Sequence, residues 1–275
     1  DLHSFPTRRS SDLEPVLWQK SFGGSSDESA NELQQTADGN YIAGGIAYSN
    51  NGNVSGRKDS TDGDGWLIKV SATGTLLWQK CLGGTSRDEI VSVKATADGG
   101  FILLGNTMSN DLDVSGNHGL QDIWLVKVDN LGNIQWQKTL GGFNIDHAGD
   151  ILITSDGNYL VAGATESTDG DVTGLHGQKD MWIVKLNTTG NIIWQKCFGG
   201  TYDEGAASIK ETVDGGYIAA GYTDSRNGDV TGNHNSPDVW IVKMDANGNL
   251  IWQKSLGGTN TDKDRKSTRL NSSHR

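Results

Sequence analysis

Apolar positions along the chain come in short bursts separated by polar, glycine-rich connections, and the bursts recur in one fixed order. Each Thr-x-Asp-Gly turn is followed by an apolar run led by an aromatic: residues 41–43, 101–104, 159–162 and 217–220, opened by Tyr41, Phe101, Tyr159 and Tyr217. Runs this short and apolar on both faces predict central strands entered through an Asp-Gly hairpin turn. A polar loop of about a dozen residues follows. An alternating segment comes next: in its last copy Trp240, Val242 and Met244 share one face and Ile241 and Lys243 the other, the period of two of a strand. The stretch Asp245-Ala-Asn-Gly-Asn then places Gly248 where a type I turn with a bulge needs positive φ, as at Gly74, Gly132 and Gly190. Residues 250–254 are the returning strand, and the stretch before Thr-x-Asp-Gly, such as 90–96 or 206–212, makes a fourth.

These four-strand units repeat. Trp-Gln-Lys begins at Trp18, Trp78, Trp136, Trp194 and Trp252, spaced by 60, 58, 58 and 58 residues, and Gly-Gly follows each time. A second tryptophan column stands at Trp66, Trp124, Trp182 and Trp240, so all nine tryptophans belong to two columns. The two extra residues of the first unit lie between Val54 and Trp66, an insertion held within one loop. The units are about 21–80, 81–138, 139–196 and 197–254. Four antiparallel strands per unit without helices predict an all-β fold, a β-propeller of four complete four-stranded blades. Residues 17–20 read as one leading strand of a preceding blade. Propellers normally run from about four to eight blades. The fourth unit already owns its last strand, so the leading strand has no vacancy to fill, and a larger ring of six to eight blades is expected. A single blade cannot bury both sheet faces alone, so neighbours supply the core. The tryptophans are therefore expected in that core rather than as a ligand-stacking platform.

Both ends depart from the repeat. Residues 1–13 and 264–275 read as in-frame translations of short-read sequencing adapters, Asp-Leu-His-Ser-Phe-Pro-Thr-Arg-Arg-Ser-Ser-Asp at one end and Asp-Arg-Lys-Ser-Thr-Arg-Leu-Asn-Ser-Ser-His at the other. The native segment is then 14–263, cut without regard to biology, and the missing start Met or signal peptide carries no information. Setting the six basic and three acidic residues of the ends aside leaves 17 and 31, a net charge of −14 against −11 for all 275 residues. An acidic surface argues against tracking a phosphate backbone, so nucleic acid is not an expected partner. No apolar run approaches the roughly 20 residues of a membrane-spanning helix, so membrane insertion is not expected.

The motif Gly-Gly…Thr-x-Asp-Gly-Gly-Tyr-Ile…Asp-x-Trp-x-Val-Lys-x-Asp-x-x-Gly-Asn-x-x-Trp-Gln-Lys, fullest from Gly199 to Lys254, resembles propeller repeats of large secreted or surface-attached bacterial proteins. The resemblance covers 14–263 and implies a secreted or cell-surface location beside a secretion signal and a C-terminal sorting domain. The Asp-x-x-Gly-Asn-x-x-Trp portion is also similar to the tryptophan-docking motif of quinoprotein dehydrogenases.

The loop before the first tryptophan of each unit carries the candidate metal chemistry. It reads Ser-Asn-Asp-Leu-Asp-Val-Ser-Gly-Asn-His from Ser109, with close copies from Ser167 and Ser225. Oxygens at i and i+2 are how hard ligands begin to converge on calcium, which makes Asp111 with Asp113, Asp169 with Asp171, and Asn227 with Asp229 candidate ligands and calcium the candidate cofactor. The loops lack the remaining EF-hand positions, notably the bidentate Glu. The alternative is that Asp, Asn and Gly simply make turns. His118, His176 and His234 each precede an Asp by four residues. Such a pair can orient a general base or hold a metal, but recurrence in three units favours a hydrogen bond that fixes the loop. His147 is expected to be solvated. Cys81 and Cys197 lie two units apart at equivalent places and read as small half-buried residues, not a disulfide or nucleophiles. No Gly-x-Ser-x-Gly, Cys-x-x-Cys, His-Glu-x-x-His or phosphate loop is present.

Two functions fit. The first is a non-catalytic propeller segment of a secreted or cell-surface bacterial protein, a scaffold or a binder of protein or glycan ligands in adhesion. The second is part of a propeller enzyme (a lyase, hydrolase or quinoprotein) with its site at the central channel. The innermost strands vary at Gln34, Lys94, Leu152 and Lys210, where no acid–base pair emerges.

Overall fold

Turn chemistry sets the strands. Gly39, Gly99, Gly157 and Gly215 of the Thr-x-Asp-Gly turns and Gly74, Gly132, Gly190 and Gly248 of the second hairpin all take φ between 77° and 83°, the left-handed region that closes these turns onto their strands. In the computed structural model, which describes residues 16–58, 61–260 and 262, four antiparallel four-stranded sheets result. The first blade is β1 (Glu28–Gln35), β2 (Tyr41–Ala47), β3 (Asp64–Val70) and β4 (Leu76–Leu82); the second is β5 (Asp88–Ala95), β6 (Phe101–Thr107), β7 (Asp122–Val128) and β8 (Ile134–Leu140). The third is β9 (Asp146–Ile153), β10 (Tyr159–Thr165), β11 (Asp180–Leu186) and β12 (Ile192–Phe198), and the fourth is β13 (Glu204–Glu211), β14 (Tyr217–Thr223), β15 (Asp238–Met244) and β16 (Leu250–Leu256). Sequential strands pair within every sheet and no helix occurs among the described residues, so the all-β propeller blades expected from the repeat are present. The two ends, 1–13 and 264–275, lie outside the described residues.

Blades stack in chain order: β5 packs on β1, β2 and β3, β9 on β5, β6 and β7, and β13 on β9, β10 and β11. The core is therefore a series of seams. Ile42, Leu67 and Leu82 of the first blade meet Ile90, Val93, Phe101 and Trp124 of the second. Ile102, Leu104 and Leu125 meet Ile151, Tyr159 and Trp182, and Leu160, Ala162 and Ile183 meet Ile209, Tyr217 and Trp240. Bulges punctuate the inner strands, between Ala30 and Glu32, Ile90 and Ser92, and Ala206 and Ser208.

The two tryptophan columns differ in place. Trp66, Trp124, Trp182 and Trp240 are buried in the seams, and each indole Nε1–H donates to the Gln Oε1 of its own blade's Trp-Gln-Lys, at 2.7–2.9 Å. That bond gives the invariant Gln its role, because an indole N–H buried without an acceptor is costly. The Trp-Gln-Lys rings lie further out and lean on the next blade: Trp78 on Phe101, Trp136 on Tyr159 and Trp194 on Tyr217, with ring centroids 6.1–6.4 Å apart. Residues 17–20, expected as a strand, pair with no strand among the described residues, since no further strand of such a blade is described for them to join. Trp18 nevertheless takes the corresponding seat, 6.3 Å from the Tyr41 ring, with its Nε1–H donating to Ala72 O at 2.9 Å.

Candidate functional site

Up-and-down blades present two edges. At the edge carrying the tight hairpins, the Lys of each third strand reaches back to the Asp of the Thr-x-Asp-Gly turn: Lys69 to Asp38, Lys127 to Asp98, Lys185 to Asp156 and Lys243 to Asp214, all at 2.8–2.9 Å. Lys127 and Thr96 bring the Asp98 carboxyl down to about 2, and the other three are likewise lowered, each by its Lys and Thr partners. This edge is the same four times over and is explained by turn closure.

The opposite edge joins the loops between second and third strands to the Gly-Gly connections between blades. The acid four residues after the second Gly folds back to cap it: Asp88 Oδ2 accepts from Gly84 N–H at 2.7 Å, Asp146 Oδ2 from Gly142 at 2.9 Å and Glu204 Oε2 from Gly200 at 2.8 Å. A second acid from the third strand closes over the same glycines. A Cβ on Gly199 would lie within 2.6 Å of both Asp180 Oδ1 and Glu204 Oε2, so only hydrogen fits. These acids are buried, and Oδ1 of Asp122, Asp146, Asp180 and Asp238 takes no hydrogen bond among the described residues. Burial pushes Asp146 up to about 6 against the hydrogen bonds from Thr165, Gly142 and Ser167, with the Asp122 charge adding to the rise. Burial also raises Asp122, Asp180 and Glu204.

The candidate calcium ligands sit on this edge, two per loop, with distinct tasks. Asp111 Oδ1 accepts from Thr85 N–H at 2.8 Å, Asp169 Oδ1 from Phe143 N–H at 2.8 Å and Asn227 Oδ1 from Thr201 N–H at 3.1 Å. Asp113 and Asp229 accept from the first Gly of Gly-Gly at 3.3 and 3.2 Å, while Asp171 holds Gly141 O through its backbone N–H at 2.8 Å. Both members thus tie the loop to the Gly-Gly connection. Among the described residues no group of three His, Cys, Asp or Glu side chains gathers around a point that would suit a metal ion.

The histidine column serves the same loops. His118, His176 and His234 place Nδ1 2.6–2.8 Å from Oδ2 of Asp122, Asp180 and Asp238, and the backbone N–H of each His donates to that oxygen as well. In the first blade the Lys58 N–H makes the equivalent bond to Asp64 at 2.6 Å, so the backbone contact rather than the imidazole is what recurs. His147, expected to be solvated, is half-buried instead. Its Nδ1 lies 3.0 Å from Gln121 Nε2 and its pKa is lowered, chiefly by burial. Cys81 and Cys197 are buried free thiols that burial pushes up to about 12, unsuited to nucleophilic work.

Where the repeat breaks, a cleft opens. Between the first two blades Tyr48, Asp62, Arg87, Met108 and Leu120 line an open cleft of 540 Å³ on the Gly-Gly edge. Met108 takes the place held by Glu166 and Asp224 in later blades, Arg87 that of Ile145 and Asp203, and Leu120 that of Gln178 and Ser236. The Arg87 guanidinium hydrogen-bonds the Tyr48 hydroxyl and pairs with Glu89 at 2.7 Å, which orients it along the cleft. Exposed Phe143, in a position otherwise Ser or Thr, extends the apolar patch beside Leu120, whose N–H donates to Phe143 O at 3.1 Å.

The innermost strands carry a column that sequence reasoning passed over in favour of its neighbour two residues on: Glu32, Ser92, Asp150 and Ser208. Ser92 hydrogen-bonds Glu32 and lies 3.5 Å from Asp150 Oδ1, while Ser208 donates to Asp150 Oδ2 at 3.3 Å. Each acid also accepts a backbone N–H of the following blade, Val93 to Glu32 at 2.9 Å and Ile209 to Asp150 at 3.3 Å. Lys94 pairs with Glu32 at 2.5 Å and stands 3.7 Å from Asp150. Reading the alternation of acid and serine down the repeat would have found this ladder.

No family model matches the chain. The regulatory protein FlaEY of Caulobacter vibrioides is 24% identical over 181 residues, 61% of this chain and 19% of that protein. The chain thus spans about a fifth of the length of that curated relative. Among solved structures, a protein of unknown function from Bacteroides caccae is similar at 13% identity and TM-score 0.35, covering 84% of this chain and 83% of its own. A putative gluconolactonase is similar at 13% identity and TM-score 0.43, over 84% and 66%. A mutant of the Synechocystis apocarotenoid oxygenase is similar at 14% and 0.44, over 84% and 51%. No helix among the described residues is long and apolar enough to cross a membrane.

Proposed function

We propose that this chain is a non-catalytic binding and scaffold segment of a secreted or cell-surface bacterial protein, recognising a protein or glycan ligand at the Gly-Gly edge. The observation that carries the reading is the concentration of repeat-breaking side chains there. Tyr48, Arg87, Met108 and Leu120 converge on one cleft, and the later blades fill the same positions with residues of different character, Glu166 and Asp224, Ile145 and Asp203, and Gln178 and Ser236. A ligand site of aromatic and apolar surface with a few oriented polar groups is what such a cleft offers. The inner rim offers less to a substrate, because the carboxylates of Glu32 and Asp150 are engaged with backbone N–H groups, serines and Lys94. The secreted or surface location rests on the repeat's resemblance.

Glycan and peptide arrays probed with the whole chain test the reading. Binding is expected to fall by about tenfold or more in the double variant Met108→Ser, Leu120→Ser, the loss of two apolar anchors. Undiminished binding by that variant would overturn the placement of the site, and turnover of a bound glycan would overturn the non-catalytic assignment.

A further inference from the structure

Four large apolar side chains break the repeat on the Gly-Gly edge, three in the second blade and one in its link to the third. Met108, Leu112, Leu120 and Phe143 are all exposed. Elsewhere in the repeat the place of Leu112 is Gly52, Gly170 and Gly228, and that of Phe143 is Ser25, Thr85 and Thr201. Leu112 takes φ +56°, in the left-handed region, where those three glycines take +64° to +66°. A leucine there bears backbone strain that glycine escapes. It is 66% exposed, so burial does not offset the strain. Strain held at an exposed apolar residue points to function rather than to folding.

Backbone contacts tie these residues to the cleft. Asp111, beside Leu112, accepts from Thr85 N–H and from the Thr85 hydroxyl, both at 2.8 Å, two residues before Arg87. Met108 N–H donates to Arg87 O at 2.9 Å, and Leu120 N–H donates to Phe143 O at 3.1 Å. Positive charge gathers at the same place. The segment 14–263 has 17 basic and 31 acidic residues, and its three arginines are Arg57, Arg87 and Arg226. Two of the three converge on Tyr48: Arg57 donates to its backbone O and Arg87 to its hydroxyl. Arg87 also pairs with Glu89, yet its side chain stays 42% exposed.

We infer that the ligand of this edge is a protein, held through a segment that sets a large apolar side chain beside a carboxylate. The inference rests on the binding site proposed above and names the class of its ligand. The apolar side chain packs on Met108 and Leu120, and Leu112 and Phe143 extend that surface along the edge. The carboxylate meets Arg87, whose guanidinium carries five N–H donors and spends two on Tyr48 and Glu89. Charge complementarity favours such a segment, because a cation oriented in an otherwise acidic chain selects an anionic partner group. The apolar residues favour a protein over a glycan. Met adapts to apolar shapes, and Met, Phe and Arg are enriched where proteins meet. A sugar needs a flat ring under its C–H face, and three of these four side chains have no ring.

A phage-displayed library of random peptides, panned on the whole chain, tests the inference. Enriched peptides are expected to carry Leu, Ile, Met or Phe next to Asp or Glu. The most enriched peptide, synthesised with a fluorescent label, is then titrated by polarisation. Leu112→Gly is expected to weaken its binding about tenfold while raising the melting temperature, so lost affinity is separated from lost folding. Arg87→Gln is expected to weaken the acidic peptide about tenfold and to leave its Asn or Gln counterpart unchanged. No enrichment overturns the inference, as does peptide binding that either Leu112→Gly or Arg87→Gln leaves intact. A glycan bound on an array, with binding that falls in the double variant Met108→Ser, Leu120→Ser, also overturns it, but keeps the site and changes the class of ligand. Peptide binding undiminished in that double variant overturns the placement of the site itself.

Discussion

Leu33 and Ile151 occupy the same place in their blades, yet Leu33 is 64% exposed and Ile151 is 1% exposed. The inner strands β1 and β9 share pairing and turn chemistry, so neither propensity nor local pattern accounts for the difference. What differs is whether a blade stands in front of the strand. The same holds at the other end of the stack, where Trp252 is 46% exposed and Trp194 leans on the next blade. Burial in this architecture belongs to the seam between units and not to the unit, as expected when stability is a sum of units and nearest-neighbour interfaces.

The sharpest way to break this comparison is to remove equivalent rings from a seam and from an open face. Trp182→Ala is expected to cost about 3–5 kcal/mol, the range for a buried aromatic. Trp252→Ala is expected to cost under about 1 kcal/mol. Urea unfolding of both variants measures the difference, and equal losses would show that the seams are not where the core lies. A smaller contrast concerns two glycines. Gly199→Ala forces a methyl between Asp180 and Glu204, with an expected loss of about 1–3 kcal/mol for overpacking. Gly157→Ala meets nothing within 4 Å and bears only the strain of φ +81°, about 1–2 kcal/mol.

The two edges should also separate by pH. Asp146 has a folded pKa raised to about 6, so its protonated form is the one favoured by folding. Its contribution is fully present below the unfolded value near 3.8 and is lost as pH rises through about 6. The melting temperature is therefore expected to fall between pH 5 and pH 7, and Asp146→Asn to flatten that slope. Asp98 has the opposite sign. Lowered to about 2, it stabilises above its unfolded value and that contribution disappears as pH falls through about 2. Asp98 is largely exposed, so its part in the acid limb is expected to be small. An Asp146→Asn profile identical to that of the parent chain would show that the seam carboxyls do not set the neutral-pH slope. The smallest effect expected is from calcium. Since five of the six candidate ligands already spend a side-chain oxygen on the Gly-Gly connections, and Asp171 ties its loop through its backbone N–H, melting in millimolar calcium and in chelator should coincide. A shift to higher temperature with calcium would assign the loops a metal instead.

Most of the architecture was legible because each feature recurs. The hairpin glycines, the Trp-Gln-Lys column and the alternating third strand announced four strands per blade, and a repeated signal separates turn from strand better than any single window. Residues 17–20 match a fourth strand but carry no strand pairing among the described residues, because a strand exists only where another strand hydrogen-bonds it. His147 was misjudged because its packing against Gln121 comes from a neighbouring blade. The Glu32–Ser92–Asp150–Ser208 ladder was visible in the residues, but its meaning was not, since no acid in it touches its serine within one blade. The candidate loop residues stand two apart in each repeat of the sequence, but their separate tasks depend on which backbone N–H groups face them.

The sequence alone determined the unit: its length, its four strands, its turns and the apolar character of both its faces. Those follow from φ preferences and from the period of side chains along a strand, which are local. Tertiary structure alone decided which of those faces are buried, which carboxyls are driven out of water over the Gly-Gly connections, and where the irregular side chains Arg87, Met108 and Leu120 meet. Each of these depends on the blade in front, and residues 58 positions apart become neighbours only when the blades stack.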